Sequence, residues 1–251
     1  MHLSLKRELI YLINIKMFKF FSSSNIYFVI QRLIEFINSI FFLILLIGLT
    51  FALVLSPPDF LQGDAVRIMY VHVPSAWIGL ACFSLITLLS VLNFIFKIKN
   101  FYFINKSAAP IGLLFTCLAI VTGSLWGQPT WGTWWAWDAR LTSMLVLMLF
   151  YILYIVTFKF LKKEELIIKV SSIIAIVGSI NLPIIKYSVE WWTTLHQPAS
   201  IKITGSSSIH SEMLVPLMVM LLAFLLYAAL IFLMKYKTEI IRIKKKNIKR
   251  N

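Results

Sequence analysis

The chain has 251 residues, of which 60% are hydrophobic and only 14% are charged. Soluble domains carry about 25% charged residues. Here the apolar residues form blocks whose length is close to the roughly 20 residues that a helix needs to cross a membrane. The composition therefore excludes a soluble globular protein. The net charge of +14 does not indicate nucleic-acid binding, because the basic residues lie between the apolar blocks and at both ends, where they set topology and contact membrane lipid.

Uncharged stretches predict an all-α integral membrane protein with six transmembrane helices and a tryptophan-rich external loop. In chain order, the predicted helices span residues 36–56, 74–96, 108–126, 141–159, 169–186 and 213–234. The fifth of these is short and carries Gly178, Asn181 and Pro183. We therefore expect its flanking lysines to extend along the helix to reach the interface.

The predicted organisation has three parts. Residues 1–35 form a basic segment, apolar in places, that we expect to lie at the cytoplasmic surface. Met17 is an alternative start to Met1. Residues 36–235 form the membrane domain, which includes the tryptophan-rich loop 124–143, and residues 236–251 form a basic cytoplasmic tail.

Lysines and arginines are distributed unequally between the two sides of this arrangement. Twenty lie in the two terminal segments and in the loops 97–107 and 159–169, and four lie in the opposite loops. Because basic residues accumulate on the cytoplasmic side, we expect both termini in the bacterial cytoplasm, or in the mitochondrial matrix. The loops 57–73, 126–140 and 187–212 then lie outside the inner membrane.

All eight tryptophans lie on the predicted outer side. An aromatic belt places tryptophan at both interfaces. A belt therefore accounts for one or two of them, and not for the five that fall within twelve residues: Trp126, Trp131, Trp134, Trp135 and Trp137.

The tryptophan cluster precedes the fourth predicted helix. If the segment after Pro129 is helical, Trp131, Trp134 and Trp135 share one face and form an aromatic platform. Asp138 stands where a carboxylate caps the free N–H groups of the following helix. A direct functional role for Asp138 is the alternative.

A wall of indole rings at a membrane surface suits a large, flat, apolar ligand, and a porphyrin, a quinone or a polyprenyl lipid would each fit. His72 and His196 lie in the two outer loops that flank the cluster. Neutral imidazole is a common axial ligand of haem iron, so the histidines favour haem, held edge-on over the second outer loop. Its propionates need cations, for which the outer side offers Arg67, Arg140, Lys186 and Lys202.

Three long strings carry a family resemblance. Trp126–Ser143 resembles the tryptophan-rich WWD signature of haem-handling proteins, and Arg67–Trp77 and Val189–Pro198 extend the likeness. Over about residues 36–235 the chain resembles the cytochrome c maturation protein C family. The resemblance implies that His72 and His196 are the axial ligands of b-type haem, iron protoporphyrin IX. It also implies that the WWD segment, with Trp126, Trp131, Trp134, Trp135, Trp137, Asp138 and Arg140, presents a haem edge.

The resemblance also implies partners: a periplasmic haem chaperone that receives the haem, the subunits of an ATP-binding cassette transporter and a small single-span accessory protein. The chain itself has no ATP-binding motif. We therefore expect a holder that orients haem, a non-classical haem lyase without an acid–base active site.

Two other functions are compatible with paired histidines. A membrane b-type cytochrome that transfers electrons buries its histidines within helices, and no histidine lies in the middle of a predicted span. A haem transporter subunit needs polar groups along its interior, and the predicted helices offer little beyond Asn93 and Asn181.

Overall fold

The computed structural model describes residues 23–96, 98–198 and 209–248. Within these ranges the chain is almost entirely helical. In chain order the helices are α1 Ser23–Thr50, α2 Met69–Phe96, α3 Lys99–Trp131, α4 Ala139–Phe160, α5 Glu164–Ser179, α6 Asn181–Trp191 and α7 Ser211–Ile248. A π-helical turn, Phe51–Leu55, extends α1, and a 3₁₀ turn, Asp64–Ile68, leads into α2.

Six stretches of the described chain are long and apolar enough to cross a membrane: Ile26–Leu55, Asp64–Phe96, Asn100–Trp131, Ala139–Phe160, Glu164–Trp191 and Ser211–Lys245. The helices α5 and α6 together make the fifth. The predicted class, an all-α membrane protein with six spans, is confirmed.

The helices are longer than the predicted spans. The first begins by Ser23 rather than residue 36, and the last continues to Ile248 rather than residue 234. The second begins at Met69 rather than residue 74, so His72 lies in the first helical turn and not in the loop where it was expected. Charged residues end the stretch that hydrocarbon can cover, but they do not end a hydrogen-bonded helix, which continues into the headgroup layer.

The tryptophan-rich segment is not the helical platform that was predicted. Helix α3 runs through Pro129 but ends at Trp131, because Gly132 takes a left-handed conformation with φ of 74°. Glycine adopts that conformation without steric cost. The residues from Thr133 to Asp138 are irregular, so Trp131, Trp134 and Trp135 do not share a helical face.

The fifth predicted span, 169–186, is a broken helix of residues 164–191. The break lies at Ile180, between α5 and α6. Next to it, the buried Asn181 side chain donates a hydrogen bond of 2.7 Å to the Ser143 carbonyl in α4. This bond satisfies a polar side chain inside the apolar layer and fixes where α6 leaves the line of α5.

The core forms where α4 packs against the closely paired helices α2 and α3. Tyr151 of α4 is fully buried and donates to the Gly79 carbonyl of α2 at 2.7 Å. A Cβ atom at Gly112 of α3 would lie 2.1 Å from the Tyr151 hydroxyl oxygen. Small residues on α2 and α3 therefore admit the tyrosine, as expected for helices that associate in a membrane by close packing.

The bundle has two unlike ends. At one end, which we name the basic face, α1 and α3 begin and α7 ends. There the Glu239 carboxylate forms salt bridges with Lys106 at 2.9 Å and with Arg242 at 2.8 Å. At the other end, the tryptophan face, α3 ends and α4 begins, and Gln62 accepts a hydrogen bond from Trp126.

Candidate functional site

A cavity of about 600 Å³ opens at the tryptophan face between α2, α3, α4 and α6. This volume lies within the range of small-molecule and cofactor sites. The walls are mainly apolar, and they include four indole rings, those of Trp77, Trp126, Trp131 and Trp135. His72, His196, Arg140 and Lys186 supply the basic side chains of the lining.

His72 projects from the first turn of α2 towards α3. Its Nδ1 lies 2.9 Å from the Ala119 carbonyl oxygen and 3.2 Å from Thr122 Oγ1. A carbonyl can only accept, so Nδ1 carries the proton and Nε2 keeps a free lone pair. Gly123 makes room for the ring, because a Cβ atom there would lie 2.9 Å from His72 Cε1.

His196 reaches the cavity from the irregular segment after α6. Its Nδ1 lies 2.9 Å from the Gln197 carbonyl oxygen and 3.4 Å from a guanidinium nitrogen of Arg140. Because a carbonyl can only accept, the shorter contact places the proton on Nδ1 and leaves the Nε2 lone pair free. Burial, and next the positive charge of Arg140, lower the pKa of His196 below its usual value. Both effects penalise the imidazolium ion, so His196 is neutral at pH 7 and able to act as a ligand.

The two imidazoles lie close together although they are 124 residues apart in the sequence. Their ring centroids are 6.4 Å apart and their planes are inclined by 36°. An indole ring flanks each of them: Trp126 lies 5.8 Å from the His72 ring, and Trp131 lies 6.2 Å from the His196 ring.

Asp138 organises this region without lining the cavity. Its Oδ1 accepts from the Leu141 amide at 2.8 Å, which confirms the predicted cap of α4. Its Oδ2 accepts from the Leu195 amide at 3.3 Å. One carboxylate thus joins the start of α4 to the residue that precedes His196.

The five tryptophans of the cluster divide into two groups. Trp126, Trp131 and Trp135 line the cavity, whereas Trp134 and Trp137 are 58% and 78% exposed. The buried indole N–H of Trp135 has no hydrogen-bond partner among the described residues. Since a buried N–H without a partner costs free energy, this group suits a polar atom of a bound molecule.

Two histidines alone do not hold a free metal ion. Within the described residues no group of three or more His, Cys, Asp or Glu side chains could do so. Structural zinc sites, by comparison, use four protein ligands. A metal held between His72 and His196 would therefore bring its other ligands with it, as the iron of a porphyrin does.

Comparison with known proteins identifies the family. The model of the family described as Heme exporter protein C (CcmC) matches residues 16–251. The chain belongs to the CcmC family.

Three relatives illustrate this membership. A Heme exporter protein C of Bradyrhizobium diazoefficiens is 42% identical over 200 residues, 80% of this chain and 76% of the relative. The Escherichia coli K12 protein of that name is 37% identical over 203 residues, 81% and 82% of the two chains. A cytochrome c biosynthesis ccmC-like mitochondrial protein of Marchantia polymorpha is 44% identical over 186 residues, 74% and 78%.

In this CcmC-family chain, the four basic residues that were predicted to bind the propionates do not all lie at the cavity. Arg140 and Lys186 line the cavity. Arg67 instead binds the carbonyls of Ala52 and Leu53 and the carboxylate of Asp64. Lys202 lies outside the described residues.

Sequence reasoning missed Gln62 and Gly123. Gln62 Oε1 accepts from Trp126 Nε1 at 2.9 Å and so fixes the indole that lies against His72. A glutamine in a loop carries no signal for a contact 64 residues away. Gly123 was identifiable only as a small residue one turn before Trp126.

Proposed function

We propose that this protein binds b-type haem in the cavity at the tryptophan face and presents it to a periplasmic haem chaperone during maturation of c-type cytochromes. Haem is the cargo in this proposal, and His72 and His196 are its axial ligands. Membership of the CcmC family supports a role in haem delivery. The observation that carries the residue assignment is the pair of imidazoles with ring centroids 6.4 Å apart beside the indole wall.

The separation of the two rings suits one iron. With metal–imidazole bonds of about 2 Å, rings on opposite sides of a single iron have centroids roughly 6 Å apart. His72 and His196 stand at 6.4 Å. Each ring is oriented by its Nδ1 hydrogen bond to a carbonyl, the second-shell arrangement that fixes the tautomer and raises the basicity of the ligating nitrogen.

The lining provides for the rest of a porphyrin. Indole faces of Trp126, Trp131 and Trp135 cover its apolar ring. Arg140 and Lys186 are the cavity cations suited to the two propionates, and guanidinium in particular matches the fork of a carboxylate. The indole N–H of Trp135 is an additional donor.

The exposed large apolar side chains next to the cavity are the proposed contact surface for the chaperone: Trp134, Trp137, Trp191, Trp192 and Leu195. Exposed tryptophan in such numbers is unusual for a protein surface and typical of binding sites. The charge distribution supports the placement of this surface in the periplasm.

In this mechanism the protein contributes position rather than proton transfer. The two imidazoles fix the haem plane, the cations fix its rotation, and the indoles exclude water from its buried part. Bond formation to the haem edge belongs to the chaperone. Membrane partners of ATP-binding cassette type and a single-span accessory protein complete the proposed assembly.

The test is haem retention by histidine variants. In His72→Ala and His196→Ala, we expect the purified protein to lose most of its haem, or to carry haem with a shifted Soret band, because one axial ligand is missing. His210→Ala is the matched control, since His210 is exposed and, among the residues that the structure describes, its side chain pairs with Glu212 at 3.9 Å. An unaltered Soret band in both cavity variants would refute the ligand assignment.

A further inference from the structure

A second concave site lies at the opposite end of the bundle from the haem cavity. A groove of about 330 Å³ separates the start of α1 from the end of α7 at the basic face. Its walls combine apolar or aromatic side chains with two lysines: Tyr27, Phe28, Ile241, Ile248, Lys244 and Lys245. Apolar walls that include two ammonium groups suit a ligand that is itself amphipathic.

The depth of the groove relative to the membrane follows from the contacts of residues near it. Lys106 stands over the Phe158 ring near the end of α4 and pairs with Glu239 of α7, which marks where the apolar layer ends. With a rise of about 1.5 Å per residue, Ile241 and Ile248 lie roughly 3 and 14 Å beyond Glu239. The polar layer of each leaflet is about 5–8 Å thick, so the groove overlaps the lipid headgroups.

The charge at the groove is positive and not neutralised within the described chain. Residues 235–251 carry eight basic residues and one acidic residue. That acid, Glu239, is bound by Lys106 and Arg242. No carboxylate of the described residues pairs with Lys244 or Lys245. A phosphate group is the complement of such a pair of ammonium groups.

We propose that this groove is a binding site for an anionic phospholipid of the leaflet at the basic face. The lipid phosphate lies between Lys244 and Lys245, and the glycerol and upper acyl carbons, which run from the phosphate towards the apolar layer, cover Phe28 and Ile241. Phe28 is 64% exposed in the protein alone, so the lipid removes apolar surface from water as well as pairing charge.

The experiment measures retained lipid on the purified full-length protein by native mass spectrometry. Dioleoyl phosphatidylglycerol and dioleoyl phosphatidylcholine, which share acyl chains, are offered in equal amount. We expect the wild type to retain phosphatidylglycerol preferentially. The double variant Lys244→Gln, Lys245→Gln should lose this preference by roughly 30-fold, the effect of two lysines near an anionic surface. The control variant Lys162→Gln, Lys163→Gln removes two exposed lysines from the loop after α4 and should keep the preference.

A second variant separates the groove from charge alone. Ile241→Trp leaves both lysines in place but fills the groove, and we expect it to retain less phosphatidylglycerol than the wild type. Equal retention of the two lipids by the wild type would overturn the proposal. So would full displacement of the lipid by soluble glycerol phosphate, or unchanged retention in the Lys244 and Lys245 double variant.

Discussion

At the scale of single residues, the two cavity histidines are held by unlike structures. His72 is part of α2 and is braced against α3 by Ala119 and Thr122. His196 belongs to an irregular segment, and its brace is the neighbouring Gln197 carbonyl. A side chain held by a packed helix moves less easily than one held by a loop. We therefore expect release of the proposed cargo to involve movement of His196 rather than of His72.

The lowered pKa of His196 predicts how haem retention depends on pH. Only the neutral imidazole binds iron, and burial together with Arg140 keeps it neutral below its usual pKa. Retention should therefore be constant from pH 8 to about 6.5, the ordinary histidine value, and should fall only at lower pH. Absorbance of the Soret band across this range measures it.

Arg140→Gln tests the electrostatic part of this prediction. Removing the positive charge raises the pKa of His196, so loss of haem should begin at higher pH than in the wild type. Arg67→Gln is the control, because Arg67 is held by the carbonyls of Ala52 and Leu53. If both variants lose haem at the same pH as the wild type, the charge of Arg140 does not control the pKa of His196.

Gly123 supplies a second residue-scale prediction. A methyl group at this position meets the His72 ring at 2.9 Å, and the ring cannot yield without leaving its bonds to Ala119 and Thr122. Gly123→Ala should weaken haem binding at least tenfold, measured by haem titration, while the helical circular dichroism stays unchanged. Gly48→Ala is the matched control, because the close contact of its methyl group, at 2.8 Å, is with the flexible Met220 side chain, and Val219 lies at an ordinary 3.5 Å. Equal affinity in both variants would contradict the role of Gly123.

At the scale of elements, the number and order of the spans could be predicted from the sequence because hydrocarbon thickness fixes the length of an apolar stretch. The helix ends could not, since hydrogen bonding continues past the charged residues that limit a span. The break at Ile180 depends on the Asn181 bond to Ser143 in another helix. Helix α3 ends before Gly132, whose left-handed conformation stops the helix. The tryptophans after it therefore do not lie on one helical face, although their spacing would allow it.

The contact between α3 and α7 leads to a stability prediction. Glu239 is buried and its carboxylate bridges Lys106 and Arg242. In Glu239→Gln the partly buried Lys106 loses its counter-charge, which should cost about 1–3 kcal/mol of unfolding free energy. Denaturant unfolding in detergent, followed by circular dichroism, measures the loss.

The control for this ion pair is Arg242→Gln. The Arg242 side chain is 63% exposed, so solvent already screens its charge and its removal should cost less than 1 kcal/mol, the usual range for exposed pairs, ~0.2–1. If Arg242→Gln proves as destabilising as Glu239→Gln, the loss of stability in Glu239→Gln does not come from the bridge to Lys106.

At the scale of the whole molecule, two chemically different binding surfaces lie at opposite ends of the bundle. The cavity with its indoles and imidazoles lies at the tryptophan face, and the lysine-rich surfaces lie at the basic face. His72 and His196 could be selected from the sequence because both stand beside the tryptophan cluster, and the resemblance to the CcmC family assigned their role. Their separation of 6.4 Å could not be derived, because it depends on how α2, α3 and α6 pack.

The orientation of these two faces is a prediction that labelling can check. In a variant without Cys82 and Cys117, a single cysteine at the exposed Trp137 should react with a membrane-impermeant maleimide on intact spheroplasts. A cysteine at the exposed Lys162 should react only after permeabilisation. The reverse pattern would place the cavity in the cytoplasm and remove the argument for a periplasmic acceptor.

The most direct test of the account is the electron paramagnetic resonance spectrum of the ferric haem complex. Two neutral imidazoles on one iron give a low-spin ferric signal, and each single variant, His72→Ala or His196→Ala, should convert it to a high-spin signal. A high-spin wild type, or a low-spin signal that survives the loss of either histidine, would show that these two side chains do not share one iron.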